Sequence, residues 1–219
     1  EQGWSQQGSL FTLTHEDTQL TVDASFGARI VSYQINGTEL LHTAGDLSGS
    51  TFWTSPQADW DWPPVTAHDS DAYTTDLVGS VLTLTGTSAN GIQISKVISP
   101  IANSDQIQIE YRMTNTSAES VDVAPWEVTR VSTAGINLFP KGDNFTGSST
   151  LTPTQEDEMV WFDHNGEDGQ KLYRDGSEQW IAHISSNVAF VKSYSTDIAT
   201  TDFAFNEAEI EIYASADYV

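Results

Sequence analysis

Alternation of apolar and polar positions runs through most of this 219-residue chain. Leu10-Phe-Thr-Leu-Thr14 and Gln19-Leu-Thr-Val22 predict two short strands around a polar turn at residues 15–18. The run from Arg29 to Ile35 leads into Asn36-Gly37, the strongest short hairpin signal, and resumes at Glu39-Leu-Leu41. Residues 80–85 and 92–98 flank Asn90-Gly91 in the same way. From Gln106 to Met113 the alternation is strict, which predicts Ile107, Ile109, Tyr111 and Met113 on one face. Further strands are predicted at residues 120–123, 126–131, 179–184, 188–192 and 209–213. No stretch keeps a helical period for three turns. Many short strands at roughly 8–12-residue spacing indicate an all-β antiparallel sandwich or barrel.

Two regions break this rhythm, residues 44–76 and 139–176, and both are expected to be long loops of the kind that often carry function. There is no internal repeat, low-complexity tract or evident linker. The expectation is therefore one β-sandwich domain over residues 1–219, with room for a C-terminal segment beyond Val219.

Charge narrows the partners. Eight Lys and Arg face 31 Asp and Glu, a formal net charge of -23 that repels a phosphate backbone, so neither nucleic acid nor an anionic membrane is an expected partner. The absence of cysteine excludes disulfides, thiolate metal sites and cysteine nucleophiles. No run approaches the roughly 18 apolar residues of a membrane span. Plentiful Thr, Ser, Asn and Gln, with Glu rather than Met in first place, fit a mature exported protein, periplasmic or secreted. The segment from Asp163 to Gly169 looks like a calcium loop, but Arg174 stands where the bidentate twelfth ligand belongs, so no metal and no cofactor is implied. The sequons at Asn36, Asn115 and Asn144 matter only in a eukaryotic secretory setting.

The most informative segment is Phe52-Trp-Thr-Ser-Pro-Gln-Ala-Asp-Trp-Asp-Trp-Pro-Pro64. Trp53, Trp60 and Trp62 offer flat faces for the C–H faces of a sugar, and Gln57, Asp59 and Asp61 offer acceptors for its hydroxyls. Tryptophans that plug the end of a sandwich are the alternative. In Trp126-Glu-Val-Thr-Arg130, alternation predicts Trp126, Val128 and Arg130 on one face and Glu127 with Thr129 on the other. Glu127 is a candidate general base if burial raises its pKa, and a plain surface carboxylate otherwise. Arg130 is a ligand clamp or a structural ion pair. Arg29, Lys141, Arg174 and Lys192 would suit an anionic group such as a uronate if they converged, or pair separately on the surface. His42, just before the Trp segment, is the candidate acid, and His183 reads as a core histidine.

On these residues the chain resembles a known superfamily. Gly27-Ala-Arg-Ile-Val-Ser-Tyr-Gln-Ile-Asn-Gly-Thr-Glu-Leu-Leu41 is similar to the first hairpin of the galactose mutarotase-like (aldose epimerase-like) superfamily. Trp53-Thr-Ser-Pro-Gln57, Trp60-Asp-Trp-Pro-Pro64 and Trp126-Glu-Val-Thr-Arg130 resemble a functionally uncharacterised bacterial branch of it. The resemblance implies a twisted antiparallel β-supersandwich with a sugar-binding groove on one concave sheet; Trp53, Gln57, Trp60, Trp62, Arg130, Lys141 and Arg174 are the candidate residues for binding a sugar or oligosaccharide. Mutarotases open the ring with a His acid and a Glu base, roles that fall by analogy on His42 or His183 and on Glu127. An aldose 1-epimerase-like isomerase, a noncatalytic carbohydrate-binding module and a lyase acting on uronate glycans (Arg130 with Tyr73 or Tyr173) are the readings carried forward. Oligomeric state is not legible.

Overall fold

The structure, a computed structural model, describes residues 2–142, 149–195, 203–204 and 207–219; the Asn144 sequon lies outside them. The chain divides into two compact units, Glu1–Arg130 and Val131–Val219. In chain order the first holds β1 (Gly3–Gln7), β2 (Leu10–His15), β3 (Thr18–Asp23), β4 (Arg29–Ile35), β5 (Thr38–Glu39) and β6 (Ser50–Ser55). A 3-10 turn (Gln57–Asp59) and the short helix α1 (Thr66–Asp69) follow, then β7 (Thr74–Val78), β8 (Val81–Thr85), β9 (Ile92–Pro100), β10 (Ile107–Asn115) and β11 (Ala124–Thr129).

These strands build two antiparallel sheets. One runs β1-β2-β3-β4-β6-β11, with β5 added on β4, and the other runs β10-β9-β8-β7. The alternation read from the sequence is the reason. In β2 and β3, Phe11, Leu13, Leu20 and Val22 turn inward, and in β8 and β9 Leu82, Leu84, Ile92, Ile94 and Ile98 do the same. Burying each such side chain contributes about 1.5–3 kcal/mol. Phe52 of the first sheet stacks on Tyr111 of the second at 4.2 Å between ring centres, 5° from parallel. Asn36-Gly37 turns β4 into β5, and Asn90-Gly91 tips the β8–β9 hairpin, with all four residues at positive φ.

The second unit holds β12 (Ile136–Pro140), β13 (Gln155–Glu156), β14 (Met159–Asp163), β15 (Gln170–Arg174), β16 (Trp180–Ser185), β17 (Val188–Ser193) and β18 (Ile210–Ala214). One sheet is ordered β13-β14-β12-β16-β17, and β15 pairs with β18. Phe139, Val160, Phe162, Leu172, Ile210 and Ile212 form its core.

The two expected loops are not loops throughout. Residues 44–76 contain β6, α1 and the start of β7, and residues 139–176 contain β13, β14 and β15. Every residue of β6 is buried, so no polar face alternates with an apolar one and the strand leaves no period-2 signal. In the other direction, Ser120-Val-Asp-Val123 alternates but forms no strand; β11 starts at Ala124.

Candidate functional site

The site begins with the pairing of β6 and β11, whose register sets Trp53 opposite Trp126 and Phe52 opposite Glu127. Neighbours in an extended strand point to opposite faces. Phe52 and Glu127 therefore share the face turned to Tyr111 and the second sheet, and Trp53 and Trp126 share the other.

On the indole face four tryptophans meet edge to face. Trp53 lies 5.6 Å from Trp126 at 87°, 6.0 Å from Trp60 at 65° and 6.0 Å from Trp62 at 82°. These are favourable aromatic geometries. The segment after β6 carries Trp60 and Trp62 back over Trp53. Its 3-10 turn presents the carbonyl of Gln57 to the N–H groups of Trp60 (3.1 Å) and Asp61 (2.8 Å). Trp60 Nε1 donates to Thr54 O at 2.8 Å, and the Trp62 N–H donates to Asp61 Oδ1 at 2.9 Å. Trp53 is buried, Trp60, Gln57 and Trp126 are half-buried, and Trp62 is 54% exposed, with Asp59 and Asp61 exposed beside it.

Behind this cluster lie charged residues. Arg130, 4% exposed, holds its guanidinium 5.5 Å from the Trp53 ring and donates from Nη1 to Thr51 Oγ1 at 3.3 Å. The predicted common face of Trp126 and Arg130 is thus the observed one. His42 is tied in through its backbone: its N–H donates to Arg130 O (2.8 Å), its carbonyl accepts from Gly49 N–H (2.7 Å), and Arg130 N–H donates to Gly49 O (3.0 Å). Trp53 Nε1 donates to Asp69 Oδ1 at 2.8 Å. Asp69 also pairs with Arg29, whose Nη2 lies 3.3 and 3.4 Å from its two oxygens. Burial lowers the Arg29 pKa and the Asp69 charge opposes that.

Glu127 occupies the opposite, inter-sheet side. Its Oε1 accepts from Ser50 Oγ and from Thr129 Oγ1, the latter at 2.7 Å. Near it lie two buried groups of strongly altered basicity. Burial pulls Lys96 down to about 7, against the attraction of Glu127. Burial pushes the Tyr111 hydroxyl well up, and the Glu127 charge adds to this.

The remaining predicted residues, Tyr73 apart, are in the second unit. Lys141 Nζ lies 3.4 Å from Glu156 Oε1, and Arg174 Nη2 lies 3.0 Å from Glu156 Oε2. Arg174 also donates to Ser149 Oγ and Tyr173 O. The hydrogen bond from Arg174, with Lys141 beside it, holds the Glu156 pKa down. His183 is buried with Nδ1 3.0 Å from Asn137 Oδ1, and burial lowers its pKa. Tyr73 is buried and donates to His68 O at 3.1 Å. Among the described residues no group of three or more His, Asp and Glu side chains is disposed to hold a metal, and no helix is long and apolar enough to cross a membrane.

Three residues of this site were not singled out for these positions from sequence. Lys96 had a signal: it shares the even-numbered face of β9 with Ile92, Ile94 and Ile98, which makes it a core lysine. Arg29 sits in an otherwise apolar strand start. Asp69 had none, because its partners Trp53 and Arg29 are 16 and 40 residues away.

Comparison with curated proteins gives no match. Among solved structures, the chain is similar to a TPR-domain containing protein from Parabacteroides distasonis, with a TM-score of 0.57 and 13% identity over 80% of this chain. That likeness is one of fold alone, and this chain spans only 34% of that protein. It is also similar to a galactose mutarotase-like protein from Clostridium acetobutylicum, with a TM-score of 0.47 and 10% identity over 84% of this chain and 74% of that one. The YidC periplasmic domain model matches residues 46–186, well over half of the sequence and including β6, the Trp segment and β11. By that match the chain belongs to the YidC periplasmic domain family.

Proposed function

We propose that this chain is a periplasmic carbohydrate-recognising domain that binds its ligand without transforming it. The observation that carries the reading is Trp62, a half-exposed indole braced at 6.0 Å against a buried Trp53 and flanked by the exposed carboxylates of Asp59 and Asp61. A rigid aromatic face with acceptors at its edge suits a sugar, since stacking satisfies its C–H face and the carboxylates take its hydroxyls. Little ordering entropy is then lost on binding. The family's name supports the periplasmic setting.

Two features favour the noncatalytic form over an epimerase. Glu127 is on the far side of the β6–β11 pair from the indoles, and its Oε1 already accepts two hydroxyl protons. A base must reach the proton that it removes.

The experiment is a thermal-shift screen against neutral sugars, uronic acids and their oligomers, with wild type beside Trp62→Ala. A ligand that binds only the folded state raises the melting temperature by mass action. A rise with one sugar class that disappears in Trp62→Ala is the expected result. A rise of equal size in the variant, or none with any sugar, overturns the reading. Trp62→Ala is preferred to Trp60→Ala because the Trp60 indole N–H is spent inside the fold on Thr54.

A further inference from the structure

The first unit buries a cation that sugar recognition does not touch. Lys96, in the middle of β9, is 1% exposed, and its Nζ donates to the carbonyls of Gly27 and Ala28, each at 2.8 Å. Its cross-strand neighbours are Tyr111 on β10 and Leu84 on β8. The titratable groups around it are Arg29 on β4, Asp69 on α1, Glu127 on β11, Tyr111 on β10 and Tyr73, whose ring centre is 5.6 Å from Nζ. His68, beside Asp69 on α1, lies against the carbonyl of Ile92 at the start of the same strand.

The two carbonyls that Lys96 holds belong to a turn wedged against Asp69. Gly27 and Ala28 are both at positive φ, and a Cβ on Gly27 would lie 1.8 Å from Asp69 O. The Gly27 N–H donates to Asp71 O at 2.9 Å. Asp69 in turn takes the Trp53 indole N–H, and Trp53 braces the other three tryptophans. A short contact therefore joins each member of the series from Lys96 through the turn and Asp69 to Trp53.

We propose that Lys96 is a proton-dependent positioning residue for the indole platform, so that the platform's affinity for its ligand falls as Lys96 loses its proton. The charged ammonium makes the stronger hydrogen bonds to the Gly27 and Ala28 carbonyls and pins the turn against Asp69. The neutral amine holds them more weakly and frees Asp69 and the Trp53 ring to shift. Burial brings this change near neutral pH, and burial pushes His68 below its ordinary range, so the two titrate apart. The proposal rests on the Trp cluster's being the ligand site.

The test is NMR of the full chain carrying 13C-lysine and 15N-tryptophan, titrated from pH 5.5 to 9. The Lys96 Cε and Trp53 Nε1–H signals should move with one midpoint near 7. In Lys96→Arg, which keeps its charge throughout, the Trp53 signal should stay still, and in His68→Gln it should move as in wild type. A Trp53 signal that stays fixed while Lys96 titrates in wild type overturns the proposal even if Lys96→Arg does not fold. So does one that moves unchanged in Lys96→Arg. Sugar affinity at pH 6 and pH 8 is read separately. Weaker binding at pH 8 supports the coupling, and equal binding overturns it. No binding at either pH, with Trp53 still following Lys96, overturns the ligand-site reading instead.

Discussion

Trp53 donates its indole N–H to Asp69 Oδ1 at 2.8 Å, and the same carboxylate faces the buried guanidinium of Arg29 at 3.3 Å. One short helix thus anchors both the centre of the aromatic cluster and a buried charge. Removing the carboxylate takes away the main counter-charge of the buried Arg29 and leaves it the weaker influence of Asp46, and breaking a buried pair in this way costs about 3–5 kcal/mol. Asp69→Ala should lower stability by about that amount in urea unfolding. Asp69→Asn, which keeps an acceptor for the indole, should cost less. Equal losses would mean that the charge carries the whole effect and that the hydrogen bond to the indole adds nothing to it.

The turn beneath Asp69 gives a contrast between two glycines. Gly27 is at φ +64° with backbone 1.8 Å from where a Cβ would stand, whereas Gly37 is at φ +75° with nothing within 4 Å. Gly37→Ala should cost only the left-handed backbone penalty, about 1–2 kcal/mol. Gly27→Ala must also push α1 away and should cost more, about 3 kcal/mol or beyond. Urea midpoints of the two variants decide the matter, and equal shifts would remove the close approach of Gly27 to α1.

Lys96 makes stability depend on pH with a definite sign. Its folded pKa, pulled down to about 7 by burial, lies below the ordinary lysine value of 10.5. Between those values the unfolded chain holds a proton that the folded chain has released, so this group adds stability as pH rises from about 7 to about 10. Below pH 7 both states are charged and the contribution is absent. Lys96→Met should flatten the slope of unfolding free energy across that window. A slope that is unchanged in the variant would assign the dependence to other groups.

Glu127→Gln tests the division between the two faces of the β6–β11 pair. The amide keeps an oxygen for Ser50 and Thr129, so the fold should persist, and at pH 5.5, well below the Lys96 titration that the Glu127 charge influences, sugar affinity should stay within about twofold because Glu127 does not face the indoles. Direct calorimetric titration checks this. A loss of affinity of tenfold or more, about 1.4 kcal/mol, would bring Glu127 back into the ligand site.

How much of this was legible in the sequence depends on whether a strand has a wet face. β4 and its Asn36-Gly37 turn, and the Ile107, Ile109, Tyr111, Met113 face of β10, follow directly from alternation. β6 escaped because Ser50 to Ser55 are buried on both sides, and with it went the strand that carries Trp53. β13 to β15 were lost in a run rich in Gly and acids, where short strands carry too few apolar positions to show a period. The indole cluster was visible as composition, since Trp53, Trp60 and Trp62 lie within ten residues. Asp69 was not, because only the closed fold brings it to Trp53. Lys96 was hidden by habit: a lysine in a strand is ordinarily assigned to solvent, even where its alternation partners are Ile92, Ile94 and Ile98.

The most direct test of ligand recognition on the indole platform is a titration of 15N-tryptophan-labelled protein with the sugar oligomer that gives the largest thermal shift, following the seven indole N–H signals. Trp62 should move most, Trp53, Trp60 and Trp126 should follow, and Trp4, Trp161 and Trp180 should stay in place. Saturable shifts confined to Trp161 or Trp180, or no saturable shift in any indole, would contradict recognition on the indole platform.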